Sequence, residues 1–452
     1  MNDTFSSGGL NGPKKQDEGE ALGEHAGEDV IETLRRLQQD RGETRPLTIL
    51  QLTPELNVGG VERGAVEIAQ AVAAAGGRAI IASAGGRMET KLKAVGGESV
   101  VLPLAAKNPI VIERNAARLT QLIKDESVDI VHARSRAPAW SGYWAAQRSG
   151  AHFITTYHGA YSEGLPGKRA YNSVMAKGRP VIAISEFIAD LVRTRHGTPP
   201  ERIKVIPRGA DLTIFDEAKL APGRVSALAR AWSVADDPRP VLMLPGRLTR
   251  WKGHEMFLTA LGLLKERLGE SGFQALIVGG ERSGWRARAE APGGGGASAV
   301  EPGARRGDEG RFELELRAKC AALGLTDMVR FVGHCDDMPS AYRLAAMVIS
   351  ASLEPEAFGR VAVEAQAMGA PVIAAAHGGA METVADGETG FLFEPGEPEA
   401  LAEAMAYGLS LSKAHRRAMG EAGVTRVRNR FSVATMQAST LQVYQEVAGR
   451  VF

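Results

Sequence analysis

The sequence predicts an α/β protein built from two doubly wound parallel-sheet units, on three observations. The chain has 452 residues, more than a single hydrophobic core usually serves. Short β-branched runs alternate with alanine-rich stretches of helical period, the pattern of a parallel sheet covered by helices. That alternation occurs twice, in two series joined near "PRGADLTIFD", residues 207–216.

Residues 1–46 read as an N-terminal extension. Up to about residue 27 they are polar and nearly free of branched apolar side chains, a composition that does not offset the entropy of ordering. Next comes "EDVIETLRRLQQD", with Val30, Leu34 and Leu37 on one helical face. The expectation is a disordered or partly helical segment. The first unit, 47–210, follows as "LTILQLT", "RAIIASA", "VDIVHA", "HFITTYH", "PVIAIS" and "IKVIP", each ending in turn or polar residues. The second unit, 215–431, contributes "PVLMLPG", "FQALIVGG", "MVRFVG", "AMVISAS" and "APVIAAA". Within it, residues 281–310 are low in complexity and rich in glycine, alanine and arginine, which predicts a flexible surface insertion.

Composition removes several function classes. With 54 basic against 53 acidic side chains the net charge is +1, so no global field recruits nucleic acid. Cys320 and Cys335 are the only cysteines, which excludes a disulfide framework and fits a reducing compartment. No apolar run approaches the roughly 20 residues that span a bilayer. The N-terminus lacks the apolar segment of a secretory signal. These features predict a soluble cytosolic protein.

In open α/β sheets ligands sit beyond the carboxyl ends of the strands, where helix N-termini point outward. After the first strand, Gly59 and Gly60 precede a helix and allow close approach of backbone amides to an anion, although an ordinary tight turn uses glycines equally. The stretch is no G-x-G-x-x-G fingerprint, and no G-x-x-x-x-G-K-[ST] loop occurs. In "PGRLTRWKGHEMFLTALGLL", Arg247 and Lys252 lie just before an amphipathic helix. Two cations there oppose the helix dipole, which a diphosphate held between them would justify; solvated surface charge is the alternative. "FGRVAVEAQAMG" reads as a helix with Glu356 before its start and Glu364 about two turns in. At 1.5 Å per residue the two acids lie roughly 12 Å apart along the axis. That exceeds the roughly 5–9.5 Å between paired glycosidase carboxylates and suits hydroxyls at opposite ends of one long ligand. Gly378 and Gly379 open another short helix, with amides expected toward the crevice. His158 ends a strand, a position where a lone histidine is usually structural, and Ser185 reads as a helix N-cap.

Taken in order, Gly59-Gly60, His158, Arg247, Lys252, Glu356-x7-Glu364 and Gly378-Gly379 resemble the retaining glycosyltransferases of family 4, also called glycosyl transferases group 1. The resemblance runs from about Leu47 to about Arg430, and "EPEAFGRVAVEAQAMGAPVIAAAHGGAMETVADGETGFLF" is its most specific part. It implies a GT-B fold, two Rossmann-like domains across a cleft, with residues 432–452 returning to complete the first. It also implies that Arg247 and Lys252 hold the donor diphosphate, Glu364 the ribose and Glu356 the transferred sugar. By the same resemblance, His158 lines the sugar pocket and Gly60 offers its amide to donor or acceptor. His334 and Cys335 meet the base through their backbone, and Phe358, Gly359, Gly378 and Gly379 belong to the donor site.

Asp336 and Asp337 suggest a metal site, but the resemblance implies catalysis without a divalent ion, so both are read as loop or cap residues. The expected partners are a nucleotide-sugar donor and a glycan or lipid-linked acceptor of cell-surface polysaccharide or lipopolysaccharide synthesis, with no cofactor. Lys168, Arg169, Lys177, Arg179, Arg134 and Arg136 offer a basic face for an anionic membrane surface, with solvated charge as the equal alternative. A nucleotide-sugar epimerase, a phosphorylase and a non-catalytic sugar-binding partner are the competing readings.

Overall fold

The computed structural model describes residues 45–57, 59–164, 166–280 and 310–452. The expected N-terminal helix, and the predicted insertion up to residue 309, lie outside the described residues. The chain forms β1 (Thr48–Leu52), α1 (Gly60–Ala74), β2 (Arg78–Ser83), α2 (Glu89–Ala94), β3 (Glu98–Val101), α3 (Pro109–Asp125), β4 (Ile130–Ala133), α4 (Arg136–Ser149), β5 (His152–Tyr157), α5 (Lys168–Asn172), β6 (Val181–Ala183), α6 (Glu186–His196) and β7 (Ile203–Val205). It continues as α7 (Arg224–Ala231), β8 (Val241–Pro245), α8 (His254–Leu268), β9 (Gln274–Val278), α9 (Arg311–Ala322), β10 (Val329–Gly333), α10 (Met338–Leu344), β11 (Met347–Ser350), α11 (Arg360–Ala367), β12 (Val372–Ala375), α12 (Ala380–Thr383), β13 (Gly390–Phe393), α13 (Pro398–Ser410), α14 (Lys413–Arg430) and α15 (Val433–Ala448).

The strands make two parallel sheets, in the orders β3-β2-β1-β4-β5-β6-β7 and β10-β9-β8-β11-β12-β13. Central strands are apolar because both faces are covered: every residue of β1 and of β8 is buried. In register, Leu50 of β1 lies between Ile80 and Val131. The expected strand runs omit β3 and β13. Both are edge strands, and "ESVV" and "GFLF" are short and only partly buried, so neither carries the continuous apolar signal of a central strand.

In each sheet the strand order reverses once, between β1 and β4 and between β8 and β11. A crevice opens at such a reversal, because the connections on its two sides depart in opposite directions. The strand-end residues after β1, β4, β8 and β11 therefore hold the positions where a ligand is expected.

The chain crosses between units twice, side by side. Ala210 N–H donates to the Phe431 carbonyl (2.7 Å), and Val433 N–H donates to the Ala210 carbonyl (3.0 Å). Gly209 is required here, since a Cβ would stand 2.1 Å from the carbonyl carbon of Ser432. Beyond this junction α15 returns to the first unit. Its Gln437 amide bonds the Glu67 carbonyl of α1 (2.7 Å), and the buried Tyr444 hydroxyl meets His132 Nδ1 (2.6 Å). One buried apolar cluster runs from the first sheet to the second, including Phe215, Phe358 and Phe431. No helix among the described residues is long and apolar enough to cross a membrane.

Candidate active site

In the second unit the segment after β8 is pinned against the segment after β11. Gly253 adopts φ +74°, and a Cβ there would stand 1.8 Å from the Ala351 carbonyl, so only glycine permits the approach. Leu353 N–H donates to the Trp251 carbonyl (2.7 Å), closing the join. The result is an ion pair between Lys252 Nζ and Glu356 Oε1 at 2.7 Å, with the two side chains 14% and 16% exposed. Ser352 Oγ donates to the same carboxylate oxygen (2.5 Å), and His377 Nε2 bonds the Ser352 carbonyl (2.8 Å). Burial alone would raise the Glu356 carboxyl. The charge and hydrogen bond of Lys252, the Ser352 hydroxyl and nearby His377 outweigh it and hold the group below its ordinary value. Arg247 is exposed and makes no hydrogen bond or ion pair with the described residues, so its guanidinium is open to a ligand.

Glu364 sits in α11, whose first residue is Arg360, an (i, i+4) ion pair at 2.5 Å with Glu364 only 12% exposed. The Tyr342 hydroxyl donates to its other oxygen (3.2 Å). The axial estimate for Glu356 and Glu364 does not carry over, because helix begins only at Arg360. Phe358 directs its ring into the core, 4% exposed and 5.9 Å from Phe431, which leaves only its backbone for the crevice. Gly359 takes φ +86° as the residue before α11.

The two glycine pairs differ. Gly378 and Gly379 pack against the Glu356–Phe358 backbone: a Cβ on Gly378 would stand 2.5 Å from the Glu356 carbonyl, and one on Gly379 2.5 Å from Phe358 Cα. The Gly379 amide donates to the Glu356 carbonyl (2.8 Å). This corrects the expectation of a ligand-facing amide at Gly379, whose N–H is consumed in positioning Glu356. Gly59 instead precedes the 15-residue helix α1 in extended backbone (φ −168°), and Gly60 is its first residue.

His158 has both ring nitrogens buried without a hydrogen-bond partner, and burial, then Arg208 and Arg134, push its pKa well below the ordinary value. The ring is neutral, with one donor and one acceptor unused. Ser185 caps α6 by accepting from Ile188 N–H (3.1 Å), and its hydroxyl donates to the Ala357 carbonyl (2.6 Å), which ties the first unit to the residue beside Glu356. His334 bonds Asp336 (3.0 Å) in an exposed loop, Cys335 is half-buried, and Asp337 caps α10 through Ser340 N–H (3.2 Å) while pairing with Arg224. No group of three or more His, Cys, Asp or Glu among the described residues is placed to hold a metal ion.

The expected basic face loses a member: Arg134 is buried, 4% exposed, with Nε on Gln51 Oε1 (2.7 Å). Arg136 stacks 4.3 Å over the Tyr161 ring and bonds Asn172 (3.0 Å). Arg169 and Arg179 are exposed. Three residues the sequence reading passed over join the site: Ser352, His377 and Arg360. The last was legible in principle, four positions before Glu364. A cavity of about 820 Å³, lined by Arg230, Asp237, Arg239 and Glu270 among others, lies before β8 and β9 begin, at the opposite ends of these strands from the site residues.

Residues 228–426 match the family model described as Glycosyl transferases group 1, and residues 58–214 match Glycosyltransferase Family 4. The D-inositol 3-phosphate glycosyltransferase of Salinispora tropica is 30% identical over 335 residues, 70% of this chain, which spans 64% of that relative's length. The crystal structure of a glycosyltransferase from Rickettsia africae superposes with a TM-score of 0.77 at 36% identity, covering 89% of this chain and 99% of that one. Anabaena Alr3699/HepE in complex with UDP-glucose superposes at 0.69 with 24% identity, over 89% of this chain and 99% of that one, a likeness of fold alone.

Proposed function

We infer the function from one premise: the chain belongs to the family 4 glycosyltransferases, group 1, and has their GT-B fold. On that premise it moves a sugar from a nucleotide-sugar donor to a glycan or lipid-linked acceptor. The observation that carries this reading is the Lys252–Glu356 pair at the reversal point of the second sheet, with Arg247 five positions before Lys252 and unpaired among the described residues.

When the donor's glycosidic bond breaks, negative charge develops on the departing diphosphate and positive charge on the anomeric carbon. Lys252 has three N–H donors, of which Glu356, itself held by the Ser352 hydroxyl, accepts from one, so two remain for phosphate oxygens. Arg247 adds a guanidinium fork with no competing carboxylate among the described residues. Such fixed donors need no reorganisation as charge appears, which makes them the largest expected catalytic contribution. Glu356, kept ionised, faces the developing positive charge and orients the sugar. The free nitrogens of His158 bond sugar hydroxyls, and Glu364, steadied by Arg360 and Tyr342, accepts from the ribose. Retention of anomeric configuration and independence from metal belong to this proposal.

HepE's complex with UDP-glucose supports a uridine nucleotide as the first donor to try. Arg169 and Arg179 support placing the enzyme against an anionic membrane surface in cell-surface polysaccharide or lipopolysaccharide synthesis. Thermal stabilisation across a panel of nucleotide sugars tests the donor, since a ligand at 100 times its Kd adds about 2.7 kcal/mol. A folded protein that no nucleoside diphosphate stabilises would refute the proposal. Unchanged sedimentation with anionic vesicles would remove the membrane part.

A further inference from the structure

One carboxylate of the second unit reaches across to a helix of the first. Glu382, on the single-turn helix α12, accepts the Glu186 N–H on Oε2 and the Phe187 N–H on Oε1, both at 2.8 Å. These are the first two amides of α6, which has no acceptor of its own for them. The next amide, Ile188 N–H, is taken by Ser185 Oγ (3.1 Å). The start of a helix in one unit is thus capped in large part by a side chain of the other, with the sign of charge that the helix dipole favours.

A single turn of helix is held in place by its neighbours, and α12 has three. The Gly379 N–H donates to the Glu356 carbonyl (2.8 Å), and the Thr383 hydroxyl donates to the Gly379 carbonyl (3.1 Å). The buried Gln366 side chain of α11 donates to the Thr383 carbonyl (2.9 Å), and Arg426 of α14 donates to the Glu382 carbonyl (2.7 Å). Glu382 is therefore anchored to the backbone that carries Glu356. On the other side, Tyr157 of β5 pairs in register with Ala183 of β6, so His158 and Ser185 leave neighbouring strand ends. The Ser185 hydroxyl reaches the Ala357 carbonyl (2.6 Å), one residue past Glu356. Two bridges run between the strand ends near His158 and the backbone at Glu356, and neither occupies a side chain assigned to the donor.

We propose that Glu382 is a positioning residue for glycosyl transfer: its carboxylate sets the first unit against the second so that His158 and Glu356 meet the same sugar. This role rests on the glycosyl-transfer reading. In that reading the diphosphate and the ribose are held within the second unit, so loss of the bridge lowers turnover without weakening nucleotide binding.

Glu382→Ala tests it, with UDP affinity from calorimetry, turnover with the donor that the nucleotide-sugar panel selects, and hydrogen exchange resolved to single amides. The kcat should fall about 10- to 10²-fold, the scale of a misplacement of about 1 Å, while the UDP Kd stays within about twofold of wild type. The Glu186 and Phe187 amides should exchange at least about tenfold faster, and Ile188, capped from its own unit, as before. Glu382→Gln keeps one acceptor oxygen for the two amides and should retain more kcat than Glu382→Ala. A kcat near wild type, a loss of UDP affinity as large as the loss of kcat, unchanged exchange, or equal losses in the two variants each overturn the role. If Glu382→Ala does not fold, unchanged exchange at both amides in Glu382→Gln overturns it instead. Any of these results beside normal UDP binding by the wild type sinks the positioning role alone. A wild type that neither binds UDP nor transfers a sugar sinks the glycosyl-transfer reading, and the role with it.

Discussion

The two walls of the cleft differ in how completely their polar groups are satisfied. On the second-unit wall, Lys252, Glu356, Ser352 and His377 bond one another, and Gly378 and Gly379 lock the backbone beneath them. On the first-unit wall, His158 has two buried ring nitrogens without a hydrogen-bond partner, and among the described residues neither Arg134 nor Arg208 is within ion-pair distance of a carboxylate, although Glu67 lines the same pocket as Arg208. Tight internal bonding preorganises a group before the substrate arrives, as charge stabilisation in a transition state requires. Unsatisfied groups hold binding capacity that only a ligand can complete. On the proposed function the walls would divide the work, one serving the reacting charge and the other recognition.

The largest expected effect falls on the bonded wall. Lys252→Ala should lower turnover about 10²–10³-fold in a folded protein, the loss typical of one preorganised donor, with Arg247→Ala compounding it. Near-normal steady-state turnover in the purified double variant would abolish the contrast. Gly379→Ala drives a Cβ into Phe358 Cα and should destabilise by roughly 2 kcal/mol in denaturant titration, as overpacking does. On the recognition wall, His158→Phe should raise donor KM roughly tenfold while leaving stability within about 1 kcal/mol, because the lost nitrogens have no protein partner. A stability loss far above that would show the ring to be structural.

The Lys252–Glu356 pair also sets a pH dependence. The folded carboxyl binds its proton less readily than the ordinary 4.5 of the unfolded chain, so folding is favoured by ionisation. This contribution is complete above pH 4.5 and drains away as the pH falls through the folded-state pKa. Lys252→Met should flatten that part of the stability–pH curve; identical curves for both proteins would detach Glu356 from the pair. The smallest effect belongs to Gly59→Ala. Its backbone is extended and its Cβ meets only the mobile tip of Glu62, so stability should stay within about 0.5 kcal/mol.

How much of this the sequence disclosed depends on distance along the chain. Glu356, Lys252 and His158 announce themselves because each follows a buried β-branched run, and strand ends are where such sheets bind ligands. The (i, i+4) spacing of Arg360 and Glu364 is local and was open to view, yet Arg360 passed as an ordinary helix residue. The Gly378-Gly379 and Gly59-Gly60 pairs look alike in sequence. Only the fold places one beneath Glu356 and the other at the head of a long helix. Arg134 reads as surface charge beside Arg136, and its burial follows from α15 returning some 300 positions later to lay Tyr444 over β4. The edge strands β3 and β13 escape notice because half-exposure dilutes their apolar content.

The paired crossings at Ala210 and Ser432 limit how the molecule can breathe. Two covalent strands, stitched by hydrogen bonds and pressed together at Gly209, resist shear and leave rotation about their common line as the soft degree of freedom. Any relative movement of the halves has to bend both segments together. It would also break the Ser185–Ala357 contact and the bonds that the Glu186 and Phe187 amides donate to the Glu382 carboxylate.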